Sequence, residues 1–182
     1  EPVRRVAVTG LGVVSALGPD RESHFEALRE GRCGIGEIEI ADVDRLSVRV
    51  GAQARFFRAE DHFTKSEIAL FDRTTQFALI AAQEAFADSG LEIDEALATR
   101  AGVVLGTALN GMETIDSNYR AVFEEKKNRV HPFIVPRLMV SAGASQISMR
   151  HGLKGPSWTV STACASSNHA IGQAAQAIRA GT

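Results

Sequence analysis

Cys164 is the residue of this sequence with the clearest capacity for chemistry. Around it, a short apolar run predicts a strand over 157–161, and an alanine-rich stretch predicts a helix over 164–179. A cysteine in the first turn of a helix lies beside free backbone N–H groups and the positive end of the helix dipole, which favour the thiolate. The small residues that follow leave room for a substrate carbonyl, and the same N–H groups could bind an oxyanion. The pattern predicts a nucleophilic cysteine, with an ordinary small buried cysteine as the alternative.

A nucleophilic thiolate needs an acid–base partner, and none of the five histidines is well placed for that role. His169 follows Cys164 by five residues, which places it about 140° around the helix and away from the sulfur. The other four histidines occupy loops, a polar helix or a helix end, where solvated histidines are common. They are His24, His62, His131 and His151. The second cysteine, Cys33, lies in a loop without comparable neighbours and is expected to be structural.

Gly10 and Gly12 follow an apolar run that predicts a buried strand over 5–9. Two glycines after a strand are typical of a dinucleotide-binding turn, but that fingerprint requires a third glycine where this sequence has Ser15. No acidic residue ends a second strand. We therefore interpret the two glycines as a tight turn in a sheet.

The elements that must position Cys164 alternate between strands and helices. Apolar runs predict strands over 5–9, 48–50, 101–107 and 157–161. Periodicity, caps and glycine stops predict helices over 20–30, 71–89, 111–126, 138–150 and 164–179. This order predicts an α/β fold with a mostly parallel sheet covered by helices.

The composition excludes several classes of protein. The chain has 182 residues, of which 45% are hydrophobic, enough for a domain-sized core. Its 20 basic and 22 acidic residues give a net charge of -2, which argues against nucleic-acid binding. Two distant cysteines predict neither a disulfide scaffold nor a metal site. No apolar run reaches the ~20 residues of a membrane helix and no signal peptide is recognisable, so we expect a cytoplasmic protein that does not bind membranes.

The residues around Cys164 resemble the active-site signature of the β-ketoacyl synthases. The segment 163–167 and Ile171 fall at the spacing of this family. Further similar segments cover nearly the whole chain. They are 4–12, 102–111, 132–136 and 151–156. The resemblance implies a thiolase-like α/β fold, layered α-β-α-β-α and built from two similar halves, with residues 1–182 as the N-terminal half and the C-terminal half absent.

The resemblance also implies an activity. Members of the family are acyltransferases that condense a cysteine-bound acyl group with malonyl-acyl carrier protein, with decarboxylation, in fatty acid elongation. Cys164 would be the catalytic nucleophile, and its backbone N–H would be one oxyanion donor. The two histidines and the lysine of the family's site are expected beyond Thr182, so this chain alone would be inactive. No metal or cofactor is expected, because the substrates carry phosphopantetheine on the carrier protein.

The resemblance assigns substrate-binding roles to three apolar residues. Leu109 is similar to the residue that gates the acyl pocket, and Phe133 and Ile134 belong to the interface segment of a homodimer formed through the N-terminal half. Ile134 would reach the pocket of the partner subunit. Asn110 stands where the elongating enzymes usually have glycine. The alternative is that these apolar residues only pack in the core of the protein.

Docking of the acidic acyl carrier protein requires positive charge. The short run Lys126, Lys127 and Arg129 is consistent with it, although such a run is often only a solvated face. Lys65 is the remnant of the family's other basic site, where this sequence is more apolar. Two alternatives to fatty acid elongation remain. One is a polyketide or specialised-lipid ketosynthase, and the other is a non-catalytic chain-length subunit, against which the retained Cys164 argues.

Overall fold

A computed structural model describes residues 5–181, which fold into two compact units. One unit comprises 5–8, Phe63–Leu79 and 91–181, and we call it the cysteine unit because it contains Cys164. The other comprises Thr9–His62 and Ile80–Gly90, and we call it the N-terminal unit. None of the helices in this described part of the chain is long and apolar enough to cross a membrane.

The cysteine unit is built around a parallel pair of strands, β3 (Val103–Gly106) and β4 (Ser157–Val160). Its helices are α2 (Lys65–Leu70), α4 (Glu95–Ala98), α5 (Met112–Tyr119), α6 (Ile134–Leu138), α7 (Ala142–His151) and α8 (Ser166–Ala180). A π-helical turn, Arg120–Glu124, continues α5. Both α7 and α8 pack against both strands, which confirms the predicted α/β class.

The N-terminal unit contains α1 (Arg21–Arg29) and an antiparallel pair of strands, β1 (Ile35–Glu37) and β2 (Val50–Ala52). Asp20 caps α1, and the hydrogen bonds from the Ser23 side chain and backbone hold the pKa of its carboxyl below the usual value. The sheet content is therefore one parallel and one antiparallel pair among the described residues, rather than the mostly parallel sheet expected.

The long helix α3 (Arg73–Ser89) contributes its beginning to the cysteine unit and its end to the N-terminal unit. The prediction of a helix over 71–89 is confirmed except for its first two residues. The helix predicted over 111–126 ends as an α-helix at Tyr119 and continues as the π-helical turn. The helix predicted over 138–150 is confirmed as α7, which begins four residues later, at Ala142, and α6 precedes it as a separate short helix.

The strand predicted over 5–9 is wrong. Residues 5–14 form neither a strand nor a helix, and a bridge follows at Ser15. Val8, within the predicted strand, is 78% exposed. A β-branched run forms a strand only where another strand supplies hydrogen bonds, and none pairs with it among residues 5–181. Arg4, which belongs to the first segment of the family resemblance, lies outside the described residues.

Carboxylates on α3 replace a strand as the partners of this extended segment. The backbone N–H of Leu11 donates to Asp88 Oδ2 at 2.9 Å, and that of Val13 donates to Glu84 Oε2 at 2.7 Å. The hydrogen bond from Leu11 is the main reason why the pKa of Asp88 lies below its usual value. The extended segment therefore follows a helix rather than a sheet.

Gly10 and Gly12 allow this close approach. A Cβ added at Gly10 would lie 2.1 Å from the carbonyl oxygen of Ala85, and one at Gly12 would lie 1.9 Å from that of Ala81. The interpretation of the two glycines as a tight turn in a sheet is thus wrong. Their role is contact between two backbones, which explains the glycines without a bound nucleotide.

Candidate functional site

Cys164 lies in the turn that joins β4 to α8, and its side chain is exposed and not in a disulfide. The prediction that α8 begins at this residue is wrong, because the first helical residue is Ser166. A turn over 162–165, with Ala163 at a left-handed φ of 50°, intervenes between β4 and the helix. Cys164 therefore precedes the helix by two residues instead of belonging to its first turn.

The Ser166 side chain fixes the shape of this turn. Its buried hydroxyl accepts the N–H of Thr162 at 2.9 Å and donates to the carbonyl of Ala163 at 2.7 Å. The backbone N–H of Ala165 also donates to the Thr162 carbonyl, at 3.1 Å. Because these bonds bracket Cys164 on both sides, the exposed thiol is presented on a defined backbone.

The start of α8 approaches the end of β3 closely. A Cβ at Gly106 would lie 2.4 Å from the carbonyl oxygen of Ser166. The cap residue of α8, Ala165, supplies no side-chain hydrogen bond, so it does not occupy the N–H groups of the first turn. An exposed thiol at this position can act as a nucleophile, and free N–H groups in the first turn of the helix can stabilise an oxyanion.

No histidine hydrogen-bonds to Cys164 within residues 5–181. His24 Nδ1 shares a hydrogen bond of 2.7 Å with the Ser15 hydroxyl, and His131 Nδ1 accepts the N–H of Phe133 at 3.2 Å. The other three histidines are His62, His151 and His169. Burial lowers the pKa of His151, with the neighbouring positive charge of Arg150 as the second cause. No group of three or more potential metal ligands occurs in the described part of the chain.

An apolar cavity of ≈350 Å³ lies between α5, the π-helical turn and α6. Its lining is almost entirely hydrophobic: Ile115, Asn118, Tyr119, Val122, Phe123, Val130, Ile134 and Leu138. Its size and lining suit an apolar ligand. Of the three predicted substrate-binding residues, Ile134 lines this cavity, whereas Leu109 and Phe133 do not line it and are 64% and 46% exposed.

The loop that carries Leu109 is attached to the end of α6 by Asn110. The Asn110 side chain is only 7% exposed, and its Nδ2 donates to the carbonyls of Arg137 and Met139, both at 2.9 Å. The Thr107 hydroxyl donates to the Leu109 carbonyl at 2.7 Å. The sequence marks Asn110 as unusual for the family, but it does not reveal these bonds.

A buried carboxylate that the sequence analysis missed connects α3 to α5. Asp72 is 1% exposed, and its Oδ2 accepts the Thr114 backbone N–H at 3.0 Å and the Thr114 hydroxyl at 2.6 Å. Its Oδ1 accepts the N–H of Thr74 at 3.2 Å. An aspartate just before a helix is a recognisable start signal, but its second partner, 42 residues away, has no local signal.

The predicted docking cluster is exposed but not purely basic. Lys127 forms an ion pair with Glu125 at 2.5 Å, and the Lys126 ammonium donates to the Phe123 carbonyl at 2.7 Å. Arg129, two residues after Lys127, is also exposed. Lys65 lies elsewhere, as the first residue of α2. The local charge is thus partly neutralised, and Lys65 belongs to a different element from the other three.

Comparison with known proteins identifies the family of the chain. Residues 3–182 match the family described as "Beta-ketoacyl synthase, N-terminal domain". The chain is 36% identical over 178 residues to 3-oxoacyl-[acyl-carrier-protein] synthase 2 of Staphylococcus aureus (strain COL), covering 98% of this chain and 43% of that protein. The chain therefore spans less than half the length of this relative.

Two solved structures show the same fold. One is a beta-ketoacyl synthase from Burkholderia phymatum STM815, with 28% identity and a TM-score of 0.77, covering 96% of this chain and 43% of that one. The other is the ishigamide ketosynthase/chain length factor, with 25% identity and a TM-score of 0.87, covering 99% and 45%. The expected thiolase-like fold is confirmed, and the chain belongs to the beta-ketoacyl synthase family.

Proposed function

We propose that the protein containing this chain is a 3-oxoacyl-[acyl-carrier-protein] synthase that elongates fatty acids, and that residues 1–182 form its N-terminal half. The observation that carries the proposal is the exposed Cys164 on a fixed turn before α8. The relationship to the Staphylococcus aureus enzyme supports it. A nucleophile on a rigid strand-to-helix turn is suited to covalent acyl transfer.

In the first step, the Cys164 thiolate attacks the thioester carbonyl of an acyl group on acyl carrier protein. A new C–S bond forms to Cys164, and the old C–S bond breaks to release the carrier thiolate, which takes a proton. The backbone N–H of Cys164 stabilises the oxyanion between these events. The product is an acyl-enzyme thioester.

In the second step, malonyl-acyl carrier protein loses carbon dioxide by cleavage of the bond to its carboxylate. The electron pair of that bond stays on C2 as an enolate, which attacks the Cys164 thioester carbonyl. A C–C bond forms, the C–S bond breaks, and Cys164 returns as the thiolate. The family resemblance implies that the acid–base groups for this step come from outside residues 5–181, so the chain alone would be inactive.

The apolar cavity beside α6 is the proposed site for the acyl chain. Ile134 forms part of its wall, and Leu109 and Phe133, which do not line it, remain substrate-binding residues proposed from the family resemblance. A methylene chain gains affinity from such a lining because its transfer out of water is favourable, by about 0.8 kcal/mol per buried methylene.

Acyl carrier protein is the proposed partner, and a second copy of the chain completes a homodimer. The docking residues are the basic ones assigned from the family resemblance: Lys65, Lys126, Lys127 and Arg129. The phosphopantetheine arm of the carrier supplies the substrate thioester, so no metal or resident cofactor is required. The proposed location is the cytoplasm, where acyl carrier substrates are available to an enzyme that binds neither nucleic acid nor membrane.

The test is acylation and condensation by the full-length protein and its Cys164→Ala variant. We expect the wild type to gain the mass of an acyl group at Cys164 and to form 3-oxoacyl product with malonyl-acyl carrier protein, and the variant to do neither. The matched control is Cys33→Ala, which removes the other exposed cysteine and should retain both activities. Acylation at Cys33, or condensation by Cys164→Ala, would refute the assignment.

A polyketide ketosynthase is the second candidate. The observation that favours it is the TM-score of 0.87 with the ishigamide ketosynthase/chain length factor. Profiling of saturated against polyketide acyl substrates separates the two activities. A purely non-catalytic chain-length subunit is disfavoured by the retained Cys164.

A further inference from the structure

We infer that Asn110 is a positioning residue that fixes the size of the apolar cavity and thereby limits the length of the acyl chain it accepts. The inference rests on the proposed function, because it concerns the cavity proposed to bind the acyl chain. The first observation is that Asn110 is buried, whereas the residues before it in the loop, 107–109, are partly or fully exposed.

The two acceptors of Asn110 lie on either side of a cavity residue. Its Nδ2 donates to the carbonyls of Arg137 and Met139, and the residue between them, Leu138, lines the cavity. These carbonyls belong to the last turn and cap of α6, where helix carbonyls have no partner within the helix. The amide therefore caps α6 and holds the backbone of Leu138 in place.

The residue after Asn110 is in direct contact with the same backbone. Gly111 has a left-handed φ of 71°, and a Cβ there would lie 2.4 Å from the Cα of Leu138. The loop thus packs against Leu138 without a side chain between them. Together, the contact and the two hydrogen bonds determine where this part of the cavity wall lies.

A second anchor holds α6 independently of Asn110. Arg137 Nε donates to the Thr114 hydroxyl at 3.1 Å, and its Nη1 donates to the Ala69 carbonyl at 3.1 Å. Loss of the Asn110 amide would consequently loosen the Leu138 end of α6 without detaching the helix, since the Met139 carbonyl still accepts the Ala142 N–H at 3.0 Å. A mobile Leu138 would let the cavity lengthen, so longer acyl chains would gain more than short ones.

The test compares acyl chain preference in the full-length wild type, Asn110→Ala and Gln83→Ala. Gln83 is the matched control, because its amide is exposed on α3 in the other unit. The readout is the ratio of kcat/KM for C14 to that for C8 acyl carrier protein. We expect Asn110→Ala to raise this ratio on the order of tenfold, the scale on which apolar pockets distinguish chain lengths, and Gln83→Ala to leave it unchanged.

Each outcome of this comparison either supports or overturns the inference. If the wild type condenses but the ratio for Asn110→Ala stays within about twofold, the inference is overturned and the proposed function stands. If the wild type forms no 3-oxoacyl product with any chain length, both are overturned. Asn110→Ser, which keeps one donor, should give an intermediate ratio. If neither variant yields folded protein, the amide serves stability rather than specificity, and the inference is again overturned.

Discussion

The position of Cys164 depends on two neighbouring residues, Ala163 and Ser166. Ala163 adopts a left-handed conformation that costs a non-glycine residue about 1–2 kcal/mol. The Ser166 hydroxyl offsets this cost with two hydrogen bonds, to the Thr162 N–H and the Ala163 carbonyl. The strained turn persists because a buried side chain holds both of its ends.

Replacement of Ser166 by alanine should therefore weaken the turn. We expect Ser166→Ala to lower the free energy of unfolding by about 1 kcal/mol and to slow acylation of Cys164, because the thiol loses its fixed backbone. Chemical denaturation and the rate of acyl-enzyme formation measure the two effects in the full-length protein. Ser145→Ala, at an exposed position on α7, is the control and should change neither. A normal acylation rate in Ser166→Ala would show that the hydroxyl does not position the nucleophile.

Local sequence signals predicted the nucleophile, but they did not predict the conformation of the turn beside it or the hydrogen bonds that attach the Asn110 loop to α6. Cys164 was recognisable because a strand, small residues and a helix follow one another in the chain. Asn110 and its acceptors are 27 and 29 residues apart, so no spacing rule could reveal them. The left-handed Ala163 was also missed, because alanine normally favours a helix.

Among the elements, those with their own start and stop signals were predicted well. The helix expected over 20–30 is Arg21–Arg29, with Asp20 as its cap. The strands expected over 101–107 and 157–161 are Val103–Gly106 and Ser157–Val160. The strand predicted over 5–9 did not form because a strand needs hydrogen bonds from a partner strand, whereas a helix makes most of its backbone hydrogen bonds within itself.

The packing of the extended segment on α3 gives a prediction about Gly12. We expect Gly12→Ala to destabilise the protein by about 1–3 kcal/mol, because its Cβ would overlap the Ala81 carbonyl oxygen at 1.9 Å. The control is Gly172→Ala on α8, where an added Cβ would have no neighbour within 4 Å apart from its chain neighbours and the backbone of its own helix. That change should stabilise the helix by about 0.5–1 kcal/mol. Urea denaturation measures both, and a Gly12→Ala variant as stable as the wild type would contradict the packing.

At the scale of the whole molecule, the surface around the apolar cavity is unusually hydrophobic. Between the last residue of α5 and the residue that follows α6, six large apolar side chains are exposed: Tyr119, Phe123, Val130, Phe133, Val135 and Met139. Three of the cavity's lining residues belong to this set, so the surface and the cavity are continuous. Large exposed apolar patches mark protein interfaces. We therefore place the proposed homodimer contact on this surface.

A charge in this surface should disrupt the dimer. Phe123 is 62% exposed and stacks on Tyr119, with ring centroids 5.6 Å apart. We expect the full-length wild type to be a dimer and Phe123→Glu to be a monomer at the same micromolar concentration, because burial of an unpaired carboxylate opposes association. Light scattering coupled to size-exclusion chromatography measures the mass.

The control for this change is Phe25→Glu, which introduces the same charge at an exposed phenylalanine of α1, in the N-terminal unit. It should remain a dimer. Activity does not report on the dimer here, because Phe123 itself lines the proposed acyl site. A dimeric Phe123→Glu variant, or a monomeric wild type, would exclude this surface as the dimer contact.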